Sequence, residues 1–373
     1  MKIGILTFHF CYNYGALLQC IGLYRVLKSI GHDVDVIDFH PVQESKTSLW
    51  QGWRLREGIS KENFMRRWAE LRYGKTMERR FTSLMSGQLT FSRQCNNSNV
   101  SYVVQDYDAL IVGSDQVWNQ KYYYAPPAYL LDFTPPYDGL KISYAACSGN
   151  GVIPRDDWDE VSAALKAFGH VSVRNDVTSH WFKQLAGRVP STVCDPTLLV
   201  DFSDLEAKFK LPVEKYILIY VLGDEIEGGH AKAVSAIKKK MGDYPVVWIC
   251  PTAHRPECQW AGADHIIYDA GPGEWLTLFK NAAFVYTDSF HGAVFSMKYQ
   301  RPFLAYYCEE MRSHRLRDLA KRYGVESAVV SGLSDAMERM CINDDLDYEQ
   351  VLEKIENHRS FSIHWLRQSL AGA

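Results

Sequence analysis

Several short stretches combine residue types that can hold an anion or move a proton. The first is Thr287-Asp288-Ser289-Phe290-His291-Gly292, where the apolar run 283–286 gives way to polar side chains. If this is a strand-to-helix turn, the helix N-terminus offers amide donors and a partial positive charge, which suit a phosphate. Gly292 permits close approach, Ser289 can donate a hydroxyl hydrogen bond, and His291 can add charge or shuttle a proton. Ordinary capping accounts for the same residues without a ligand, since Asp and Ser are common N-caps. Gly113-Ser114-Asp115-Gln116-Val117-Trp118-Asn119 follows another apolar run. It reads as a sugar-binding lip, in which Asp115, Gln116 and Asn119 hold hydroxyls and the Trp118 indole covers an apolar sugar face. Asp115 is the best-placed general base for a sugar hydroxyl, and helix capping is its bland role.

Asn13-Tyr14-Gly15-Ala16 occupies the first such turn. Asn13 can hold a hydroxyl and Gly15 lets the backbone approach a ligand, although a plain Asn-capped turn fits as well. The Gly-x-Gly-x-x-Gly pattern is missing, so a nicotinamide or flavin dinucleotide is not indicated. Arg174 closes Val171-Ser172-Val173-Arg174, where its planar fork would match a carboxylate or phosphate. Arg312 and Arg315 stand at an expected helix start, against the dipole, which favours a ligand role; salt bridges to Glu309-Glu310 are the alternative. Tyr122–Pro127 is either an aromatic flap or a surface loop.

These positions require strand ends to support them. Strand-like segments are expected at Lys2–Phe8, Asp33–Phe39, Ala109–Gly113, Lys141–Ala146, His170–Arg174 and Thr192–Cys194. A second series is expected at Tyr216–Leu222, Pro245–Cys250, Phe284–Thr287 and Pro302–Ala305. Helices are expected at Ala16–Ile30, His230–Met241, Glu274–Asn281, from His291, and at Tyr348–Leu370. This alternation predicts an α/β protein of two Rossmann-like doubly wound domains facing a cleft. The expected division is residues 1–195, with an insert at about 41–100, then 196–345, then a C-terminal helix in 346–373 that returns to the first domain.

A chain of 373 residues exceeds the usual size of one core. Its net charge of −3 excludes a globally basic nucleic-acid binder. Nine cysteines without a Cys-x-x-Cys pair point to reduced thiols, not a zinc or disulfide framework, and no metal is expected. With no secretory signal or bilayer-crossing run, the expected location is cytoplasmic. Residues 41–93 stand apart, with eleven Lys or Arg against five Glu and no Asp, interleaved with Trp50, Trp53, Phe64, Trp68 and Phe81. An amphipathic helix is expected there. It is either a solvated basic face or a patch for an anionic partner, such as the inner membrane surface or a diphosphate-linked substrate.

Together these motifs resemble the polysaccharide pyruvyl transferase family. The residues that carry the resemblance are Asn13–Ala16, Asp108–Asn119, Ser143–Ala146, Val171–Arg174, Cys194–Leu199, and Thr287–Ser296 with Arg301-Pro302-Phe303. They occur in the right order between about residue 1 and about residue 325, with 41–100 and the C-terminal tail outside the match. The resemblance implies a GT-B-like fold and transfer of a pyruvyl group from phosphoenolpyruvate onto two hydroxyls of one sugar, in a surface polysaccharide or its lipid-diphosphate-linked precursor. It implies no cofactor beyond that co-substrate. On this reading the second domain binds the donor through Arg174 from the first domain together with Ser289, His291, Gly292, Arg312 and Arg315. The first domain binds the acceptor through Asn13, Tyr14, Gly15, Asp115, Gln116, Trp118 and Asn119. His291 is the candidate acid and Asp115 the candidate base. A nucleotide-sugar glycosyltransferase and a non-catalytic sugar-binding protein are the alternatives.

Overall fold

Runs of four apolar or nearly apolar residues, each buried along its whole length, lie at the centre of two sheets. They are Ala109–Val112, Ile217–Tyr220, Val246–Ile249, Phe284–Thr287 and Phe303–Tyr306. Continuous burial is what a parallel strand covered on both faces requires. The computed structural model describes residues 1–41, 61–119, 126–149, 158–250, 262–308, 310–341 and 346–371. Within these, the side chains of 61–71, 126–127, 310–312, 337 and 339–341 are not described.

The first sheet comprises β1 (Lys2–Leu6), β2 (Asp33–Val36), β3 (Ala109–Val112), β4 (Leu140–Ala146), β5 (His170–Val173) and β6 (Ser191–Thr192), in the order β2-β1-β3-β4-β5-β6. The second comprises β7 (Ile217–Tyr220), β8 (Val246–Ile249), β9 (His265–Ile267), β10 (Phe284–Thr287), β11 (Phe303–Tyr306) and β12 (Val329–Val330), in the order β12-β11-β10-β7-β8-β9. Among the described residues every strand pairing is parallel. The first order is flavodoxin-like and the second is that of a dinucleotide-binding Rossmann sheet, so both are doubly wound. Each has a switch point where the connections diverge, between β1 and β3 in the first and between β7 and β10 in the second.

The expected strands form, mostly shortened at the ends. β1 ends at Leu6, and beyond it Thr7 and His9 make side-chain hydrogen bonds. β9 and β12, three and two residues long, were not expected; strands this short carry no readable alternation. Helices His230–Met241 and Tyr348–Leu370 have the expected limits, and the helix expected within the insert spans Lys61–Gln88.

The chain divides into two compact units. One contains Met1–Gln51, Met85–Asp201 and Glu356–Ala373; the other contains Gly52–Leu84 and Phe202–Ile355. This corrects the expected placement of the insert, because most of it belongs to the second unit. Arg80 donates to the Asp269 carbonyl at 2.5 Å and pairs with Glu274 at 3.2 Å, while Tyr73 stacks on Tyr268. From Glu356 onward the C-terminal helix belongs to the first unit, where the Ser362 hydroxyl accepts from the Cys194 N–H at 2.9 Å and Arg359 donates to the Leu199 carbonyl. Among the described residues, no helix is long and apolar enough to cross a membrane.

Candidate functional site

In the first unit the polar residues gather at the carboxyl ends of the strands. Gly113 leaves β3 at φ 110°, and a Cβ there would meet the Tyr144 carbonyl at 2.3 Å, so only glycine allows the chain to pass. Asp115 follows in the left-handed region at φ 66°, which Asp tolerates better than most residues. Its carbonyl accepts from the Cys147 N–H at 3.0 Å, fixing the turn against the end of β4. Arg174, just beyond β5, reaches across the intervening β4. Its Nη2 donates to Asp115 Oδ1 at 3.3 Å and its Nη1 to Asp195 Oδ2 at 2.8 Å. Asp195 also accepts from Thr197 through both the backbone N–H and the hydroxyl, at 3.0 and 2.7 Å.

The Arg174 and Asp195 side chains are 2% and 0% exposed, and Asp115 is 14% exposed. Burial pulls the Arg174 pKa down, but Cys147, Asp195 and Asp115 outweigh it and hold the guanidinium charged. The expected anion fork is therefore engaged by two carboxylates of its own unit, and Arg174 positions Asp115. Asp195, central to this triad, was not among the expected site residues. An Asp directly before Pro196 reads as a cap, which it also is.

The sugar-lip reading needs correction at Trp118. Its ring lies among Phe168, Trp181 and Phe182, and Nε1 donates to the Tyr129 carbonyl at 3.1 Å, so it is core, not a sugar platform. Asn119 is buried and donates to Gln116 Oε1 at 2.7 Å; Gln116 stays half-buried. At the first turn Asn13 caps the helix Tyr14–Ser29 by accepting from Ala16 N–H at 3.1 Å. Tyr14 is 1% exposed and Gly15 is buried, so of that motif only Asn13 faces solvent. Gln19, fully buried, links the switch point by donating to Thr7 Oγ1 and accepting from the Ser114 N–H. A Gln inside the apolar run Ala16–Leu23 was the signal for it.

The second unit spends its polar residues on backbone. Asp288 ends β10 and accepts from the N–H groups of Leu222 and Gly223, just past β7, at 2.7 and 2.6 Å. It thus closes the switch point. Ser289 caps the helix Phe290–Lys298, accepting from Gly292 N–H at 3.3 Å. Gly292 answers a neighbour as much as any ligand, because a Cβ would meet Thr287 Oγ1 at 2.4 Å. That hydroxyl donates to the Tyr220 carbonyl and accepts from Ser289 N–H. His291 is buried in the first helical turn with its ring edge-on to Phe290. Arg315 is half-buried on the helix Glu310–Tyr323, and the Arg312 side chain and the Tyr122–Pro127 stretch lie outside the described residues and side chains. The structure thus gathers Ser289, His291 and Gly292 in one turn and pairs Asp115 with Arg174 across two loops.

A further cluster escaped the sequence reading. His9, after β1, and Asp38 and His40, after β2, bring their side chains together, with both His Nε2 atoms on Asp38 Oδ1 at 3.1 and 2.7 Å. Burial raises the Asp38 pKa, but the hydrogen bonds from His40 and His9 outweigh it and keep the carboxylate ionised. The residues are dispersed in sequence, the first two being 29 positions apart, so no local motif announced them.

A family model described as polysaccharide pyruvyl transferase matches residues 13–310. No curated protein matches the chain by sequence. Among solved structures, UDP-GlcNAc 2-epimerase from Neisseria meningitidis bound to UDP-GlcNAc is 11% identical, with a TM-score of 0.56 over 99% of this chain and 100% of that one. Arabidopsis thaliana UGT89C1 complexed with UDP-L-rhamnose is 10% identical, with a TM-score of 0.54 over 98% and 97%. The Methanocaldococcus jannaschii UDP-GlcNAc 2-epimerase in complex with UDP-GlcNAc and UDP is 13% identical, with a TM-score of 0.51 over 97% and 100%. These likenesses establish a two-domain, GT-B-like Rossmann fold.

Proposed function

This chain belongs to the polysaccharide pyruvyl transferase family and is a transferase, and from that premise we propose that it moves the pyruvyl group of phosphoenolpyruvate onto two hydroxyls of one sugar. The observation that carries the proposal is the family match over residues 13–310. The reaction balances simply. A proton adds to the methylene carbon, a sugar hydroxyl attacks the central carbon, the C–O bond to phosphate breaks, and a second hydroxyl closes the ketal. Of the two protons the hydroxyls lose, one balances the methyl group and the other leaves with phosphate.

The turn Ser289–Gly292 supports a donor role in the second unit. The positive end of the helix Phe290–Lys298 and the His291 imidazole suit the phosphate, and the Ser289 hydroxyl can still donate its proton while accepting from Gly292. Arg315 and Arg312 are candidates for the donor carboxylate. In the first unit Asp115 is the candidate base, held in place by Arg174, and Asn13 and Gln116 are the retained acceptor candidates. The acid role of His291 belongs to the same proposal. No cofactor is needed for this chemistry. The exposed basic residues Arg72, Lys75 and Arg79 of the helix Lys61–Gln88 support a lipid-diphosphate-linked acceptor at the cytoplasmic membrane face.

Mass spectrometry of candidate sugar acceptors incubated with enzyme and phosphoenolpyruvate is the test. A mass gain matching a pyruvyl ketal, with release of inorganic phosphate, is expected, and His291→Ala should abolish both. Phosphate release by His291→Ala at the wild-type rate, with acceptor present, would end its catalytic assignment. A second reading, a nucleotide-sugar-dependent glycosyltransferase, is favoured by the fold shared with proteins bound to UDP-sugars. Thermal shifts with nucleotide sugars and none with phosphoenolpyruvate would select it.

A further inference from the structure

The cluster at the ends of β1 and β2 has no part in the proposed reaction. His9 Nδ1 lies 3.2 Å from the Thr7 carbonyl, which can only accept, so this nitrogen carries the ring proton. Its Nε2 lies 3.1 Å from Asp38 Oδ1, which His40 Nε2 approaches at 2.7 Å, so one ion could be shared by all three side chains in a place where His9 is 2% exposed.

We propose that His9, Asp38 and His40 form a binding site for a divalent transition-metal ion. One ligand atom from each of the three lies within 4.8 Å of the others, close enough to share one ion. The His9 arrangement is that of a metal ligand, since a ligating His usually gives its other N–H to a backbone carbonyl or carboxylate, which fixes its tautomer. Two imidazoles and one carboxylate suit Zn²⁺, Co²⁺, Fe²⁺ or Ni²⁺ rather than Ca²⁺ or Mg²⁺, which prefer oxygen alone. Three protein ligands leave room for water or another ligand, on the side where the His40 side chain is 31% exposed.

The backbone prepares this site. The Asp38 N–H donates to Ser92 Oγ at 3.0 Å, Asp38 O accepts from the Cys95 N–H, and His40 N–H donates to Cys95 O, both at 2.8 Å. Segment 91–95 therefore clamps two of the ligands beside β1. The rings of Phe10 and Phe91 lie against His9 and lower the polarity of its surroundings, which strengthens binding of a cation to a carboxylate. Cys95 meets the two ligand-bearing residues through its backbone, and the grouped ligand atoms are those of His9, Asp38 and His40.

The test uses the full-length protein, stripped with a chelator and titrated with Co²⁺. One Co²⁺ per chain is expected, with visible d–d absorption, no thiolate charge-transfer band, and displacement by Zn²⁺. His40→Gln, at a half-buried position, and Asp38→Asn should each weaken Co²⁺ binding by more than ~10-fold, the least expected when loss of a mere supporting partner costs that much. Circular dichroism would verify that both variants are folded, and this readout needs no catalytic activity. The proposal is overturned by folded wild-type protein that takes up no stoichiometric Co²⁺. It is equally overturned by a thiolate charge-transfer band, or by binding that both substitutions leave unchanged.

Discussion

The two units end their strands in opposite ways. In the first, side chains satisfy side chains, with Arg174 lying between Asp115 and Asp195 across three strand ends. In the second, one carboxylate satisfies backbone, with Asp288 gathering two amides from the neighbouring loop. A doubly wound sheet leaves loop amides exposed where its connections diverge, and Asp288 stands at that point. Arg174 lies away from the switch point, between strands whose loops each bring an acid. The contrast teaches that a polar residue at a strand end is not by itself a ligand contact. Its neighbours in the strand order decide how it is used.

Removing Arg174 should do the most damage. Arg174→Met leaves the buried Asp195 and the half-buried Asp115 without their cation, and a loss of about 3–5 kcal/mol in urea unfolding is expected. A loss below about 1 kcal/mol would mean that the triad is not structural. Asp288→Asn should cost less, about 1.5–3 kcal/mol, since its amide keeps one acceptor oxygen and turns an NH2 against the other backbone N–H. Faster amide exchange at Leu222 and Gly223, with the first unit unchanged, is the signature to look for. Gly292→Ala forces a methyl group onto Thr287 Oγ1, and a cost of about 1–3 kcal/mol in thermal or urea unfolding is expected.

Trp118→Phe sharpens the contrast differently. As a core residue it should lose about 1–2 kcal/mol of stability with the acceptor KM unmoved. A raised KM at unchanged stability would restore it to the sugar lip. The smallest effect is chemical. Burial pushes the Cys20 and Cys194 thiols up to about 12, so at mildly alkaline pH they stay protonated and resist iodoacetamide, while exposed Cys308 should label before them. Peptide mapping of the native protein checks the order.

Much of the fold was legible. Runs such as Phe284–Thr287 and Ala109–Val112 are short, continuous and bounded by turn residues, so the strands and the helices between them could be placed to within a few residues. The site was legible only in part. Ser289 and Asn13 were readable as strand-end groups, but sequence could not separate a cap from a ligand contact, and both prove to be caps. The insert was visible as a basic helix, yet its allegiance depended on Asp269 and Glu274, about 190 residues beyond Arg80.

The sequence by itself determined the parallel, doubly wound architecture and the family, because hydrophobic period and ordered motifs are local and survive in one dimension. Tertiary structure alone decided which polar groups neutralise one another. Asp115, Arg174 and Asp195 come from three separate loops, as His9, Asp38 and His40 come from two, and only the order of strands in the sheet brings them together. Charge and hydrogen bonding act over a few ångströms of space, whatever the distance along the chain.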